Sequence, residues 1–238
     1  MKVVFIGGCH LVGKPHGVQY GFVRRLWKRW RKESRDVHFD LVPYAARWDS
    51  LLEACRDVLA RFPDVIIVNI QAALVLPTWD RTLRRLGFSG ENKAEDPALN
   101  WFAPTAWKPA NQGRAYWIAK RAGILLLGGH RENWSRIEEV WQEISRLLKQ
   151  SPARVIVLTP TPANGEFFVR GQANLERVRE LVLRFSDCYE VCDIYPDLQK
   201  MGNEALWLDG QHISVAGHTL IEEKLWSTLK NDRKDEIV

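Results

Sequence analysis

Short apolar runs alternate along this chain with longer segments in which apolar residues recur at helical spacing. The apolar runs predict strands at residues 2–6, 37–42, 65–70, 154–159 and 189–193. The segments between and after them predict helices at 20–33, 50–61, 134–149, 172–185 and about 214–230. This alternation is typical of a parallel sheet with helices on both faces. We therefore expect one three-layer α/β/α domain spanning residues 1–238.

Start signals refine four of the predicted helices. We expect Asp49 or Ser50 to cap the second helix and Asn133 to cap the third. Ser214 fits the N-cap of the last helix, and Asn174 lies near the start of the helix before it.

The first predicted helix is both apolar and strongly basic. Four of its residues follow helical spacing and are expected to face the core: Phe22, Leu26, Trp27 and Trp30. Segment 24–32 also carries six arginines and lysines with two tryptophans between them, a composition that can bind nucleic acid. No recognised nucleic-acid-binding motif accompanies the segment. We therefore favour an amphipathic helix and predict no nucleic-acid partner.

The alternation breaks down at residues 77–130. This stretch contains four tryptophans and four prolines, and a short apolar run within 123–129 fits an extra strand or a helix end. We interpret 77–130 as a Trp-rich insertion in the single domain, forming a lid or wall over the site.

Composition narrows the class of protein. Of 238 residues, 46% are hydrophobic and 26% are charged, which is ordinary for a globular protein. No apolar stretch approaches the ~20 residues that a membrane-spanning helix needs, and the first apolar run is too short for a signal peptide. The four cysteines form no Cys-x-x-Cys pair, so we expect thiols in a reducing compartment. We predict a cytoplasmic protein with no membrane partner and no cofactor.

Polar and glycine residues gather at three junctions between strands and helices, where ligands bind in open α/β sheets. They are 7–10 after the first strand, 69–73 after the third, and 208–214 before the last helix. In the last stretch, Asp209 and His212 are three residues apart in a predicted turn. A carboxylate at that spacing can orient an imidazole as the base for a nucleophile. Alternatively, Asp209 only caps the turn and His212 is a surface histidine.

Two of these stretches resemble the SGNH/GDSL hydrolases. Residues 7–13, Gly-Gly-Cys-His-Leu-Val-Gly, are similar to the family's first block, Gly-Asp-Ser-(Leu/Ile)-(Thr/Ser)-x-Gly. Residues 209–218, Asp-Gly-Gln-His-Ile-Ser-Val-Ala-Gly-His, closely resemble its last block, Asp-x-x-His-(Pro)-Ser-x-x-Gly-His. The resemblance implies a flavodoxin-like three-layer sandwich. It also places Cys9 on the nucleophilic serine, with Asp209 and His212 on the acid and the base.

The cysteine at position 9 then has a chemical explanation. A thiol beside His212, and beside the positive end of the helix that follows, can ionise near neutral pH and act as a nucleophile. The alternative is a packed remnant in a protein that has lost catalysis. Cys9, His10 and His212 could in principle hold zinc, but one ligand would have to leave the triad, so we predict no metal.

Several positions depart from the family pattern. The chain has Gly8 where the family has Asp, and Ala73 where it has the Asn that donates to the oxyanion; the loop 43–48 also lacks the family's glycine. Gln71 lies two residues before Ala73, and alternate residues of an extended chain share a face, so its amide is a candidate replacement donor. A polar residue at the edge of the core is the alternative for Gln71. We expect Gly8, His10 and Asn69 to contribute to oxyanion or substrate binding, although His10 could instead cap the following helix.

These residues predict acyl transfer through a Cys9 thioester, with a small-molecule acyl ester or thioester as substrate. Water as acceptor would make the protein an esterase or thioesterase, and an amine or hydroxyl acceptor would make it an acyltransferase. The alternative is an inactive protein that keeps the fold to bind a ligand, which Gly8 and Ala73 favour.

Overall fold

The computed structural model describes residues 1–14, 16–33, 36–76, 122, 133–165, 168–207 and 210–231. Within them, five parallel strands form one sheet in the order β2-β1-β3-β4-β5. The strands are β1 (Lys2–Gly7), β2 (His38–Pro43), β3 (Val65–Asn69), β4 (Arg154–Leu158) and β5 (Glu190–Cys192). The α-helices that the described residues form are α1 (Phe22–Lys32), α2 (Trp48–Leu59), α3 (Trp134–Lys149), α4 (Val169–Arg184), α5 (Tyr195–Met201) and α6 (Val215–Asn231).

Two hydrophobic clusters cover the two faces of the sheet. Successive strand residues point to opposite faces. Val4 and Ile6 accordingly join the cluster formed with α2, α3 and α4, whereas Val3 and Phe5 join the one formed with α1, α5 and α6. Strand β3 is buried along its whole length, as its unbroken apolar run predicts for a strand covered on both sides. The predicted three-layer α/β/α sandwich is therefore confirmed.

Helix α1 packs on the sheet through Phe22, Leu26 and Trp30, as predicted. The prediction that Trp27 faces the core is wrong. Trp27 is only partly buried, and the guanidinium groups of Arg24 and Arg31 lie 3.9 and 4.8 Å from its ring centroid. Trp27 sits at the margin of the apolar stripe, where a cation–π contact satisfies the aromatic face without burial in the core.

The start of helix α2 differs from the prediction. The helix begins at Trp48, and neither Asp49 nor Ser50 caps it. Instead, the Ser50 hydroxyl accepts a hydrogen bond from the Ala45 N–H at 3.1 Å, before the helix. The indole of Trp48 is fully buried against Trp141, so tertiary packing extends the helix by two residues.

The starts of the later helices agree with the prediction to different degrees. The Asn133 side chain caps α3 by accepting from the Ser135 N–H at 3.3 Å, as predicted. Helix α4 begins at Val169, so Asn174 lies inside it rather than at its start. Helix α5 was not predicted, because its seven residues are too few for a clear helical period.

The strand order places the carboxyl ends of β2, β1 and β3 next to one another, at the edge where a ligand is expected in such a sheet. Apart from residue 122, the predicted insertion at 77–130 lies outside the described residues. None of the described helices combines the length and the apolar composition needed to cross a membrane.

Candidate active site

Strand β1 ends in a series of tight turns that carries Cys9. The Leu11 N–H donates to the Gly8 carbonyl at 2.9 Å, and the Lys14 N–H donates to the Cys9 carbonyl at 3.1 Å. Cys9 is partly exposed. The helix that follows, predicted at 20–33, is α1, which begins at Phe22. Its N-cap residue is Gly21, so the alternative that His10 caps this helix is wrong. The activation of Cys9 by the positive end of α1 stays a prediction.

The segment after β3 brings Gln71 to the same edge. Asn69 and Gln71 are buried, and a single 3₁₀ turn, Ala72–Leu74, follows them. The Asn69 side chain is 1% exposed, and its Nδ2 has no hydrogen-bond partner among the described residues. Both residues therefore lie beneath the surface, and of the two only Gln71 lines the cleft described below.

The loop before α6 holds His212 by closing on itself. Leu206 and Ile213 form an antiparallel bridge, and the Trp207 N–H donates to the His212 carbonyl at 2.8 Å. Gly210 adopts φ 72°, a left-handed conformation that favours glycine in this tight loop. Ser214 caps α6 as predicted, since its hydroxyl accepts from the Gly217 N–H at 3.0 Å.

The three stretches meet in one small cleft of about 10 Å³, room for roughly one water molecule. Seven of the described residues line it: Cys9, His10, Gln71, Ala72, Ala73, Gln211 and His212. The His10 and His212 rings meet edge to face, with their centroids 5.8 Å apart and an interplanar angle of 79°. The structure therefore brings together the predicted nucleophile, the predicted base and the candidate amide donor.

Asn69 and Gly8 are predicted site residues that are not among the described residues lining this cleft. Asp209 lies outside the described residues, so its pairing with His212 stays a prediction. Gly8 lies directly beside Gln71, because a Cβ built on Gly8 would meet the Gln71 Nε2 at 2.1 Å.

A buried histidine, His218, lies close enough to His10 and His212 of the cleft to interact with them electrostatically. His218 is fully buried and stacks on Phe22 with ring centroids 6.0 Å apart. Burial lowers the pKa of His218 well below its usual value, and repulsion from His10, His16, Arg25 and His212 lowers it further. Among the described residues, no three His, Cys, Asp or Glu side chains are arranged to hold a metal ion.

Tyr44 is a site residue that the sequence did not identify. Its hydroxyl donates to the Asn69 carbonyl at 3.0 Å and accepts from the Gln71 backbone N–H at 3.0 Å. Its own carbonyl accepts from the Gln71 Nε2 at 3.4 Å. One signal was available: a buried tyrosine directly after a strand needs a polar partner for its hydroxyl.

A second polar network joins the ends of β4 and β5 at the same edge of the sheet. The Thr159 hydroxyl donates to Asp193 at 2.9 Å, and Arg179 contacts both carboxylate oxygens of Asp193 at 2.6–3.0 Å. Thr159 also accepts from the backbone N–H groups of Ile194 and Tyr195. The network ties β4, β5, α4 and α5 together and so stabilises the scaffold around the cleft.

Comparison with known proteins gives similarity at the level of structure. No family model matches the chain, and no curated protein matches it either. The chain is similar to the lipase/acylhydrolase from Enterococcus faecalis, with 17% identity and a TM-score of 0.58 over 97% of this chain and 96% of that one. It is also similar to the acetyl xylan esterase AlAXEase, with 13% identity and a TM-score of 0.60 over 96% and 99%.

A third similar structure is a member of the lipolytic protein G-D-S-L family from Veillonella parvula DSM 2008. It shares 10% identity and a TM-score of 0.60 over 97% of this chain and 99% of that one. These similarities extend over nearly the whole length of each protein. They confirm the fold that the resemblance to the SGNH/GDSL hydrolases implied.

Proposed function

We propose that this chain is an acyl-transfer enzyme that acts on small acyl esters or thioesters through a Cys9 nucleophile. The observation that carries the proposal is the meeting of Cys9 and His212 in one cleft, although they lie near opposite ends of the chain. Gln71 lines the same cleft. A nucleophile, a base and an amide donor are the groups that acyl transfer requires.

In the first half-reaction, the Cys9 Sγ attacks the carbonyl carbon of the substrate, and His212 takes the thiol proton. The carbonyl oxygen becomes an oxyanion that the Cys9 backbone N–H and the Gln71 side-chain amide stabilise. When the intermediate collapses, the bond to the alkoxide or thiolate leaving group breaks. His212 gives its proton to that group, and the acyl group stays on Cys9 as a thioester. Asp209 orients His212 throughout.

In the second half-reaction, His212 takes a proton from water or from an amine or hydroxyl acceptor, which then attacks the thioester. The Cys9 thiolate leaves and recovers its proton from His212. The printed names of the similar structures, a lipase/acylhydrolase and an acetyl xylan esterase, support an ester as substrate. A thioester remains reactive towards amines, which supports transfer as the second possibility.

The polar residues around the cleft have supporting roles in this proposal. His10 lines the cleft beside Cys9 and contacts the His212 ring, so it is placed to touch a bound substrate. Asn69 acts from below through its backbone carbonyl, which accepts from Tyr44. Gly8 leaves the space that the Gln71 amide occupies.

A second candidate function is ligand binding without catalysis. It is favoured by Ala73 and Gly8, which lack the side chains that the SGNH/GDSL hydrolases carry at the matching positions. The two candidates differ in the chemistry of the Cys9 thiol. A thiol kept only by packing has ordinary reactivity, whereas a nucleophile depends on its base.

The reactivity of Cys9 towards iodoacetamide, followed against pH by peptide mapping, tests the proposal. The other three cysteines serve as internal references. Cys188 is partly exposed, and burial and the neighbouring Asp187 raise its pKa. Cys55 and Cys192 are buried, and burial raises the pKa of Cys55 to about 12.

We expect Cys9 to react fastest, with an apparent pKa below the usual ~8.5 of a free thiol. The variant His212→Ala should raise that pKa. His38→Ala should leave it unchanged, because His38 is exposed on β2. If Cys9 reacts no faster than Cys188, or equally fast in the wild type and in His212→Ala, the nucleophile is excluded and the cleft is a binding site.

Intact mass spectrometry then identifies the chemistry. Incubation with aryl acetates and short acyl thioesters should add one acyl mass to the wild type and none to Cys9→Ala. Hydroxylamine cleaves thioesters directly, so release of the acyl group as a hydroxamate identifies the Cys9 thioester. A primary amine such as glycine then separates the acceptors: an amide product that forms faster on the native than on the denatured acylated protein indicates transfer, and release of free acid alone indicates hydrolysis.

A further inference from the structure

The side-chain amide of Gln71 fills the space in which a side chain at position 8 would lie. A Cβ on Gly8 would lie 2.1–2.3 Å from three atoms of the Gln71 amide, Nε2, Cδ and Oε1. The backbone of Gly8 does not adopt a positive φ, unlike Gly13, Gly17, Gly202 and Gly210. Position 8 therefore requires glycine for space rather than for backbone conformation. The amide of Gln71 lies directly over the residue that precedes the proposed nucleophile.

Tyr44 holds that amide in place from the neighbouring loop. The Tyr44 N–H donates to the Gly7 carbonyl at 3.2 Å, which ties the loop after β2 to the end of β1. The Tyr44 carbonyl accepts from the Gln71 Nε2, and its hydroxyl bridges the Gln71 N–H and the Asn69 carbonyl. Both the backbone and the side chain of Gln71 are thus fixed by Tyr44, which is itself buried.

These contacts link the loops after β1, β2 and β3 at the point where the cleft begins. An amide nitrogen carries two hydrogens. With one directed to the Tyr44 carbonyl, the orientation of the second is fixed as well. A donor fixed before the reaction is worth more to a developing oxyanion than one that must reorient.

We propose that Gly8, Tyr44 and Gln71 form one positioning unit, in which Tyr44 orients and Gly8 accommodates the amide that donates to the oxyanion. This inference rests on the proposed acyl-transfer function and explains two of the departures from the family pattern together. The Gln71 side chain fills the space that the missing side chain at position 8 leaves, so the two departures are linked. Tyr44 is a positioning residue, since it acts through Gln71.

A double-mutant cycle between positions 8 and 71 tests the shared volume without any assay of activity. Gly8→Ala should lower the Tm of the wild type by several degrees, because the new methyl group overlaps the Gln71 amide. In the Gln71→Ala background the same change should cost little. Gly165→Ala is the matched control, since its Cβ would meet nothing nearer than 3.6 Å, and it should cost little in both backgrounds. If Gly8→Ala lowers the Tm equally in the two backgrounds, positions 8 and 71 do not share this space, and the proposed positioning unit is contradicted.

Kinetics on the ester that acylates Cys9 test the positioning role. Gln71→Ala should lower kcat on the order of 10²- to 10³-fold, the usual loss for one oxyanion donor. Tyr44→Phe should lower kcat about tenfold with little change in KM, and should lower it no further in the Gln71→Ala background. Tyr189→Phe is the matched control, because Tyr189 is a buried tyrosine bonded to Trp141 and Val182 instead. It should lower the Tm but leave kcat unchanged.

The outcomes separate this inference from the function on which it rests. If the wild type turns over esters but Tyr44→Phe lowers kcat equally in both backgrounds, Tyr44 does not act through Gln71. If no ester is turned over and Cys9 is unreactive while the Tm cycle shows coupling, the acyl-transfer function fails and the unit is only structural.

Discussion

The buried imidazole of His218 should make the protein less stable as the pH falls from 7.5 to 5.5. His218 is fully buried, and neither of its ring nitrogens has a hydrogen-bond partner among the described residues. Burial, and then electrostatic repulsion from His10, His16, Arg25 and His212, lower its pKa well below the usual 6.5. The folded protein therefore keeps this ring neutral, while the unfolded chain binds a proton there below pH 6.5.

The size of the effect follows from proton linkage. Since the unfolded state binds more protons in this range, the free energy of unfolding falls as the pH falls. For an unfolded pKa of about 6.5 and a folded pKa below the range, the loss between pH 7.5 and pH 5.5 is about 1.4 kcal/mol. For a domain of this size, that corresponds to roughly 3–6 °C in Tm.

The assay is urea denaturation at pH 7.5 and pH 5.5, comparing the wild type with His218→Phe. A phenyl ring can stack on Phe22 in the same place and does not titrate. The variant should be at least as stable as the wild type at pH 7.5, because it removes two buried ring nitrogens that lack partners. It should lose about 1.4 kcal/mol less than the wild type between the two pH values.

His38→Phe is the control, since His38 is exposed and close to Asp40. It should not flatten the pH dependence by a comparable amount. Parallel losses in the wild type and His218→Phe would refute the reasoning, because they would mean that His218 gains its proton in the folded protein as easily as in the unfolded chain.

Two further predictions concern the scaffold. Phe62 is 82% exposed and has φ 48° after α2, so Phe62→Gly should raise the free energy of unfolding by about 1 kcal/mol in urea denaturation; an unchanged or lower value would show that the left-handed conformation carries no strain. Asp193→Asn should lower the free energy of unfolding by about 1.5–3 kcal/mol at pH 7, because the charged hydrogen bonds from Arg179 and Thr159 are weakened. Burial raises the pKa of Asp193, but the bonds from Arg179 and Thr159 outweigh it and the net pKa is lowered, so the loss should shrink as the pH falls below about 4.

The elements with strong local patterns were predicted well. Strand β3 is an unbroken apolar run, and the cap of α3 follows from Asn133 next to a regular helical period. The three stretches of the site were also predicted to meet, because parallel strands present their carboxyl ends at one edge of the sheet. Their meeting at the cleft agrees with that prediction.

The errors fall where packing competes with local signals. Trp27 obeys helical spacing but lies at the edge of the stripe, and only the neighbouring arginines decide that it stays partly exposed. Helix α2 starts at Trp48 because that indole packs against Trp141, which lies far away in the sequence. The helix after Cys9 begins at Phe22 with Gly21 as its N-cap, so His10 lies in the preceding turns rather than at a helix start.

The sequence predicts the alternation of strands and helices apart from α5, the two apolar faces, and the candidate nucleophile and base. Each of these depends on neighbouring residues or on a short motif. The sequence does not predict the close packing of Gly8 against Gln71 or the hydrogen bonds between Gln71 and Tyr44. They depend on how three loops from separate strands stack at the edge of the sheet, to within a fraction of the width of one methyl group. Local propensity carries no information at that scale, and only the packed tertiary structure supplies it.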